Sequence, residues 1–109
     1  MNNIINIRKM RLPEALLKLE RELDEIYLSG HKKVIIIHGK GKGKLKEMVH
    51  NFLNKQFYVK DFRVGEFYEG GDGVTIVNLD YSIEDNKNYF LENLKKGQIS
   101  SSKIFLKKI

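Results

Sequence analysis

The stretch Val34-Ile35-Ile36-Ile37-His38-Gly39-Lys40-Gly41-Lys42-Gly43-Lys44-Leu45 constrains this chain more than any other. Four β-branched residues in a row read as a buried strand, and the alternating glycines after them as a tight turn. Helical spacing then sets in, with Leu45, Met48, Val49, Phe52 and Leu53 falling on one face. A strand that passes through a glycine loop into a helix N-terminus is an anion-collecting arrangement. The first helical turn offers unpaired N–H groups and a positive dipole end, and glycine lets a phosphate approach the backbone. Lys40, Lys42 and Lys44 add side-chain charge, and His38 stands at the entrance. The alternative is an ordinary glycine-rich strand-to-helix connection with solvated lysines, and the remainder of the chain has to decide between them.

Two familiar phosphate motifs do not fit. A Walker A loop needs Gly, four residues, then Gly-Lys-Ser/Thr. Here Gly43-Lys44 is followed by Leu45, and His38 occupies the position of the first glycine. A dinucleotide fingerprint needs G-x-G-x-x-G, whereas these glycines recur at every second position.

At 109 residues the chain has room for one domain and a short appendage. It has no cysteine, which excludes a disulfide framework and a thiolate metal site, and its three histidines form no H-x-x-x-H pair. No metal or other cofactor is expected, and the sequence does not say whether a divalent ion is required. No long apolar stretch opens the chain, so neither a signal peptide nor a membrane span is expected, and the cytoplasm is the default location. The net charge of +6 favours an acidic partner. Its distribution is more telling. No acidic residue lies between Glu25 and Glu47, while Lys32, Lys33, Lys40, Lys42, Lys44 and Lys46 all do. That clustering is what a nucleic-acid footprint would produce, and a solvated basic face is the alternative.

In chain order, residues 4–8 read as a short strand. Pro13 and Glu14 suit the start of a helix whose apolar face is Leu16, Leu19, Leu23 and Ile26, with Leu12 at its start, and Ser29-Gly30 stops it. The central strand and second helix follow. Residues 58–67 read as a strand, Glu69-Gly70-Gly71-Asp72-Gly73 as a hairpin turn, and Val74 to Leu79 as the return strand. The order βαβαββ predicts an α/β (α+β) two-layer sandwich, a four-stranded mixed sheet with both helices on one face. The domain is expected over residues 4–79. Residues 80–109 read as a weakly ordered extension, with a polar helix from Ile83 to Lys96 and a flexible tail.

Ile5 to Leu16, His38-Gly39-Lys40-Gly41-Lys42-Gly43 and Gly70-Gly71-Asp72-Gly73-Val74-Thr75 together resemble the Smr domain, the small MutS-related module, over residues 4–79. The resemblance implies the same βαβαββ sandwich and binding to DNA or RNA. It also implies, for some members, endonuclease action on DNA or on messenger RNA at stalled ribosomes. No ATPase half precedes the domain, so the chain reads as a stand-alone bacterial member. One family motif departs. The usual Leu-Asp-Leu-His-Gly, or its Arg variant, stands here as Ile5-Asn6-Ile7-Arg8-Lys9, so Asn6 replaces the acidic residue and Lys9 the glycine. Cutting a phosphodiester needs a base for the nucleophile, an acid for the leaving oxygen and positive charge on the phosphorane. His38 is the candidate for proton transfer, with Arg8 and Lys40 holding charge, and Asn6 cannot accept a proton at neutral pH.

The expectation is therefore a nucleic-acid-binding protein with weak or conditional endonuclease activity. The rival is a non-catalytic adaptor that docks on nucleic acid or the ribosome. The phosphate clamp is assigned to Gly39, Lys40, Gly41, Lys42, Gly43 and Lys44, with Lys46, Lys32 and Lys33 beside it. The turn Gly70, Gly71, Asp72 and Gly73 lies near the site. For His38 the alternative is a ring that closes a strand by bonding a neighbouring carbonyl. Asp72 reads as a turn residue, His31 and His50 as solvated, and Tyr58, Phe67 and Tyr68 as core aromatics rather than base-stacking ones. Oligomeric state is not legible.

Overall fold

The computed structural model describes residues 2–82. The helix expected from Ile83 to Lys96 and the tail after it lie outside the described residues. Four strands, β1 (Ile4–Asn6), β2 (Lys33–Ile37), β3 (Val59–Val64) and β4 (Val74–Leu79), form one sheet in the order β1-β2-β4-β3. β1 runs parallel to β2, and β4 pairs antiparallel with both β2 and β3. The sheet is thus mixed, as the sequence predicts.

Helix α1 (Leu12–Leu28) connects β1 to β2, and helix α2 (Lys44–Leu53) leads from β2 to β3. Both bury their apolar faces against the same side of the sheet. Leu19, Leu23 and Ile26 of α1 and Val49, Phe52 and Leu53 of α2 share one core with Ile5, Val34, Ile36 and Val77. Burying each such side chain is worth about 1.5–3 kcal/mol. Leu12 stays 42% exposed, so the apolar face of α1 begins a turn later than its spacing suggests. Gly30, at φ 89°, takes the left-handed conformation that ends the helix.

A polar and aromatic cluster forms the end of the core away from the glycine loop. Tyr27 stacks on Tyr58 at 4.2 Å and on Tyr81 at 4.9 Å between ring centroids. The Tyr58 hydroxyl donates to the buried carboxylate of Asp24, and burial pushes that phenol well above its usual range. The Tyr81 hydroxyl donates to the carbonyls of Tyr27 and His31, both at 2.7 Å. The packed unit therefore includes Tyr81, two residues past the end of the last strand.

β3 is shorter than the 58–67 stretch that alternation suggests. Gly65 packs against Val74, and the chain then makes two short 3₁₀ turns, Phe67–Glu69 and Gly71–Gly73, in place of a single hairpin turn. Val74 and Ile76, on the face turned away from the helices, are buried outside the main core. Among the described residues, no helix is long and apolar enough to cross a membrane.

Candidate nucleic-acid interface

The C-terminal end of β2 and the start of β4 are fastened together where the glycine loop begins. The N–H groups of His38 and Gly39 both donate to the Gly73 carbonyl, at 3.0 and 2.9 Å. A Cβ on Gly73 would sit 3.3 Å from the Gly39 backbone, so glycine permits that approach. Gly39, Gly41 and Gly43 all have positive φ, which explains why glycine recurs at every second position. Gly43 caps α2 without a side chain, leaving the first-turn amides open to an anion.

The opposite wall comes from the turn after β1. The Met10 N–H donates to the Ile7 carbonyl at 3.1 Å, closing a four-residue turn. Its third residue, Lys9, has φ 66°, a conformation that favours glycine. A lysine there costs about 1 kcal/mol relative to glycine. The turn is braced by the Asn6 side chain, whose Oδ1 accepts the Arg8 N–H at 3.0 Å. Arg8 in turn packs on Gly39, its Cγ 3.1 Å from where a Cβ on that glycine would stand.

Between these walls lies a cleft of about 680 Å³ lined by Arg8, Lys9, Ile37, His38, Gly39, Lys40, Gly41, Leu45, Gly70, Gly73 and Val74. Three cations line it and no carboxylate does. The nearby carboxylates are paired. Asp72 binds Lys46 and is lowered by that contact, and Glu69 takes both guanidinium nitrogens of Arg63 at 2.7 and 2.9 Å. The Arg63 hydrogen bonds hold Glu69 down to about 2.

His38 is only 3% exposed, and both of its ring nitrogens are engaged. Nδ1 lies 2.9 Å from the Gly39 carbonyl, and Nε2 lies 2.8 Å from the Thr75 hydroxyl. The same hydroxyl lies 2.9 Å from His50 Nε2. Burial lowers the pKa of both histidines, so both are neutral at pH 7. One proton arrangement then satisfies every atom. His38 donates from Nδ1 to Gly39, Thr75 donates to His38 Nε2, and His50 donates from Nε2 to Thr75. His38 thus locks the loop to the sheet.

The structure brings together Arg8, His38, Gly39, Lys40, Gly41, Gly70 and Gly73 from the residues singled out in the sequence. Asn6 is turned back onto its own loop and does not line the cleft. Lys44 lines a separate groove between the helices, beside Glu20 and Glu47. Lys46 is held by Asp72. Lys32 and Lys33 lie at the start of β2, a full strand length of roughly 15 Å from the loop. They neighbour the loop lysines in sequence only, because the strand separates them.

Lys9 lines the cleft as well, and Thr75 and His50 stand behind it, linked to it through His38. Lys9 was legible only as a missing glycine. Thr75 is legible only as the end of the Gly70–Thr75 motif, and the role of His50 has no local signal, since the bond joining the two spans 25 residues. His50 is half-buried rather than solvated, with its ring 4.9 Å from that of Phe62. Tyr58 is core as expected, but Phe67 and Tyr68 are not, being 88% and 85% exposed. Among the described residues, no group of three or more His, Asp or Glu is placed to hold a metal ion.

Replacing Lys9 by Gly is expected to raise stability by about 1 kcal/mol while weakening phosphate binding. Thermal melts and anisotropy titrations on one preparation check both effects. A lower melting temperature would show that the lysine makes a compensating contact.

Comparison with known proteins gives one consistent picture. The Smr domain family matches residues 5–80. The Endonuclease MutS2 of Caldanaerobacter subterraneus subsp. tengcongensis is 49% identical over 75 residues, which are 69% of this chain and 10% of that protein. The Endonuclease MutS2 of Clostridium tetani is 44% identical over 75 residues, with the same coverage of 69% and 10%. The chain therefore spans about a tenth of the length of these relatives. The crystal structure of the Smr domain of Thermus thermophilus MutS2 superposes with a TM-score of 0.68 at 32% identity, covering 72% of this chain and 98% of that one. YdaL, a stand-alone small MutS-related protein from Escherichia coli, shares the fold at a TM-score of 0.64 and 22% identity, covering 72% of this chain and 64% of its own.

Proposed function

Because the chain belongs to the Smr domain family, we propose that it binds the sugar–phosphate backbone of DNA or RNA in the cleft beside the glycine loop. The observation that carries this reading is the lining of that cleft, with Arg8, Lys9 and Lys40 present and no carboxylate. A phosphate entering there meets three cations, loop backbone that glycine leaves bare, and the first turn of α2. A nearby acidic residue would oppose this, and Asp72 and Glu69 are already neutralised by Lys46 and Arg63.

The test is the salt dependence of binding. If each of the three cations meets one phosphate, the triple variant Arg8→Gln, Lys9→Gln, Lys40→Gln flattens the slope of log K against log salt by about 2–3. Lys32→Gln with Lys33→Gln leaves the slope unchanged, since those residues lie a strand length away. The opposite pattern would move the footprint to the far end of the sheet. The loss in the cleft variant is similar across sequences, because phosphate contacts carry no base information.

A second reading, phosphodiester cleavage, is favoured by the 44–49% identity to proteins named Endonuclease MutS2. The internal bonding of His38 and the amide at position 6 weigh against efficient cleavage. On this reading the activity is weak or conditional. If it is lacking, the protein is an adaptor that docks on nucleic acid, free or within the ribosome.

A further inference from the structure

Phe67 and Tyr68 are the two most exposed large apolar side chains among the described residues, at 88% and 85%. Neither contributes to the core. Both sit on the 3₁₀ turn Phe67–Glu69, and that turn is held rigidly. Glu66 and Glu69 form a reciprocal capping box, with the Glu69 side chain accepting the Glu66 N–H at 2.8 Å. Arg63 grips the same carboxylate with two hydrogen bonds. Gly70 closes the turn at φ 109°, where a Cβ would strike Val74 Cγ2 at 2.5 Å. An apolar pair presented in water on a braced support loses little entropy when something covers it.

The position of the turn indicates what covers it. The Gly70 N–H donates to the Phe67 carbonyl at 3.4 Å, and Gly70 itself lines the cationic cleft. The turn that carries both rings therefore adjoins a site whose charge suits a phosphate backbone. Successive side chains of a 3₁₀ turn diverge by about 120°, so the two rings offer separate faces rather than stacking on each other. A duplex keeps its bases stacked and out of reach, whereas unpaired bases can settle on such rings.

We propose that Phe67 and Tyr68 form a base-stacking platform, making the site selective for nucleic acid with unpaired bases whose backbone runs through the cleft. This rests on the phosphate-binding reading and adds the class of nucleic acid to it.

The experiment compares two labelled single strands of equal length and equal phosphate number, one of mixed sequence and one built entirely of abasic sugars. Binding is followed by fluorescence anisotropy over a range of salt. Wild type should prefer the strand that carries bases. Phe67→Ala with Tyr68→Ala should lower affinity for that strand by about 5- to 100-fold for each base that loses its ring and leave the abasic strand unaffected. The salt slope stays the same, because stacking releases no counterions. Phe67→Tyr keeps the preference. Both positions are exposed, and matching circular dichroism melts establish that the variants fold. Equal affinity of wild type for the two strands would overturn the platform and leave phosphate binding standing. A preference that survives in the double variant would also overturn it. Failure of wild type to bind either strand would overturn the phosphate reading and the platform together. A double variant that differs from wild type only in self-association would reassign the rings to contact between copies and overturn base stacking.

Discussion

Replacing Thr75 by Val will lower the melting temperature by about 10–20 °C, far more than the loss of one hydroxyl from a surface strand. Thr75 is fully buried, and its oxygen joins His38 Nε2 at 2.8 Å to His50 Nε2 at 2.9 Å. Valine keeps the shape and removes the bridge. A buried polar atom stripped of its partner costs about 1–3 kcal/mol. Two ring nitrogens lose theirs, though half-buried His50 recovers part of the loss from water. A net loss of about 2–4 kcal/mol in a domain of this size gives the stated shift. Thr75→Ser restores the hydroxyl and should recover most of the stability. A valine variant that melts within 2 °C of wild type, on the order of the smallest resolvable effect, would show that the rings find other partners.

The same network sets a pH dependence whose sign is fixed. Burial is the first cause lowering both histidines, followed for His50 by the neighbouring His38. The folded state therefore resists protons that the unfolded chain accepts near ~6.5. Unfolding takes up protons below that value, so stability falls as pH drops through ~6.5 and levels off below the folded pKa values. Melts between pH 8 and 5 read this directly. A melting temperature that does not fall would mean the rings are charged inside the fold.

The element order βαβαββ and the loop are legible in the sequence because both are written in local periodicity and glycine placement. Val34, Ile36 and the helical stripe through Val49 and Phe52 sit in one core, as their spacing demands. What could not be read locally are the residues fixed by contacts between distant segments. His50 lies off the apolar stripe of its own helix, and only the sheet explains why it turns towards Thr75. Asp24 lies among surface acids in sequence, and its bond to Tyr58, 34 residues away, accompanies its burial. Lys32 and Lys33 join the loop lysines in the charge pattern, yet a strand of known rise separates them. Phe67 ends the alternating stretch 58–67 and Tyr68 follows it, but the close packing of Gly65 and Gly70 on Val74 diverts the chain into a turn and leaves both rings in water.

Asn6→Asp should raise cleavage of a labelled strand by about 10²–10⁴-fold, the usual contribution of one positioned acid/base group. The substitution is tolerated structurally. Asn6 uses its oxygen to accept the Arg8 N–H, and a carboxylate accepts the same bond while presenting a second oxygen. That second oxygen is a proton acceptor carried on the same turn as Arg8 and Lys9, and it serves the cleft once the side chain swings out from the loop on which it now folds back. Binding weakens slightly, because the new charge opposes a phosphate. His38→Ala should abolish the gained activity, since its loss frees the glycine loop from Thr75. The pH profile then separates two roles. If His38 transfers a proton, the rate follows its titration below pH 7; if it only holds the loop, the profile follows the new carboxylate near ~4. Should wild type already cut well and ignore the change, Asp72 and Glu69 become the first carboxylates to replace, and their pairing with Lys46 and Arg63 would have to open. Should neither protein cut while both bind, holding the backbone without breaking it is what this site does, and the amide at position 6 is part of the reason.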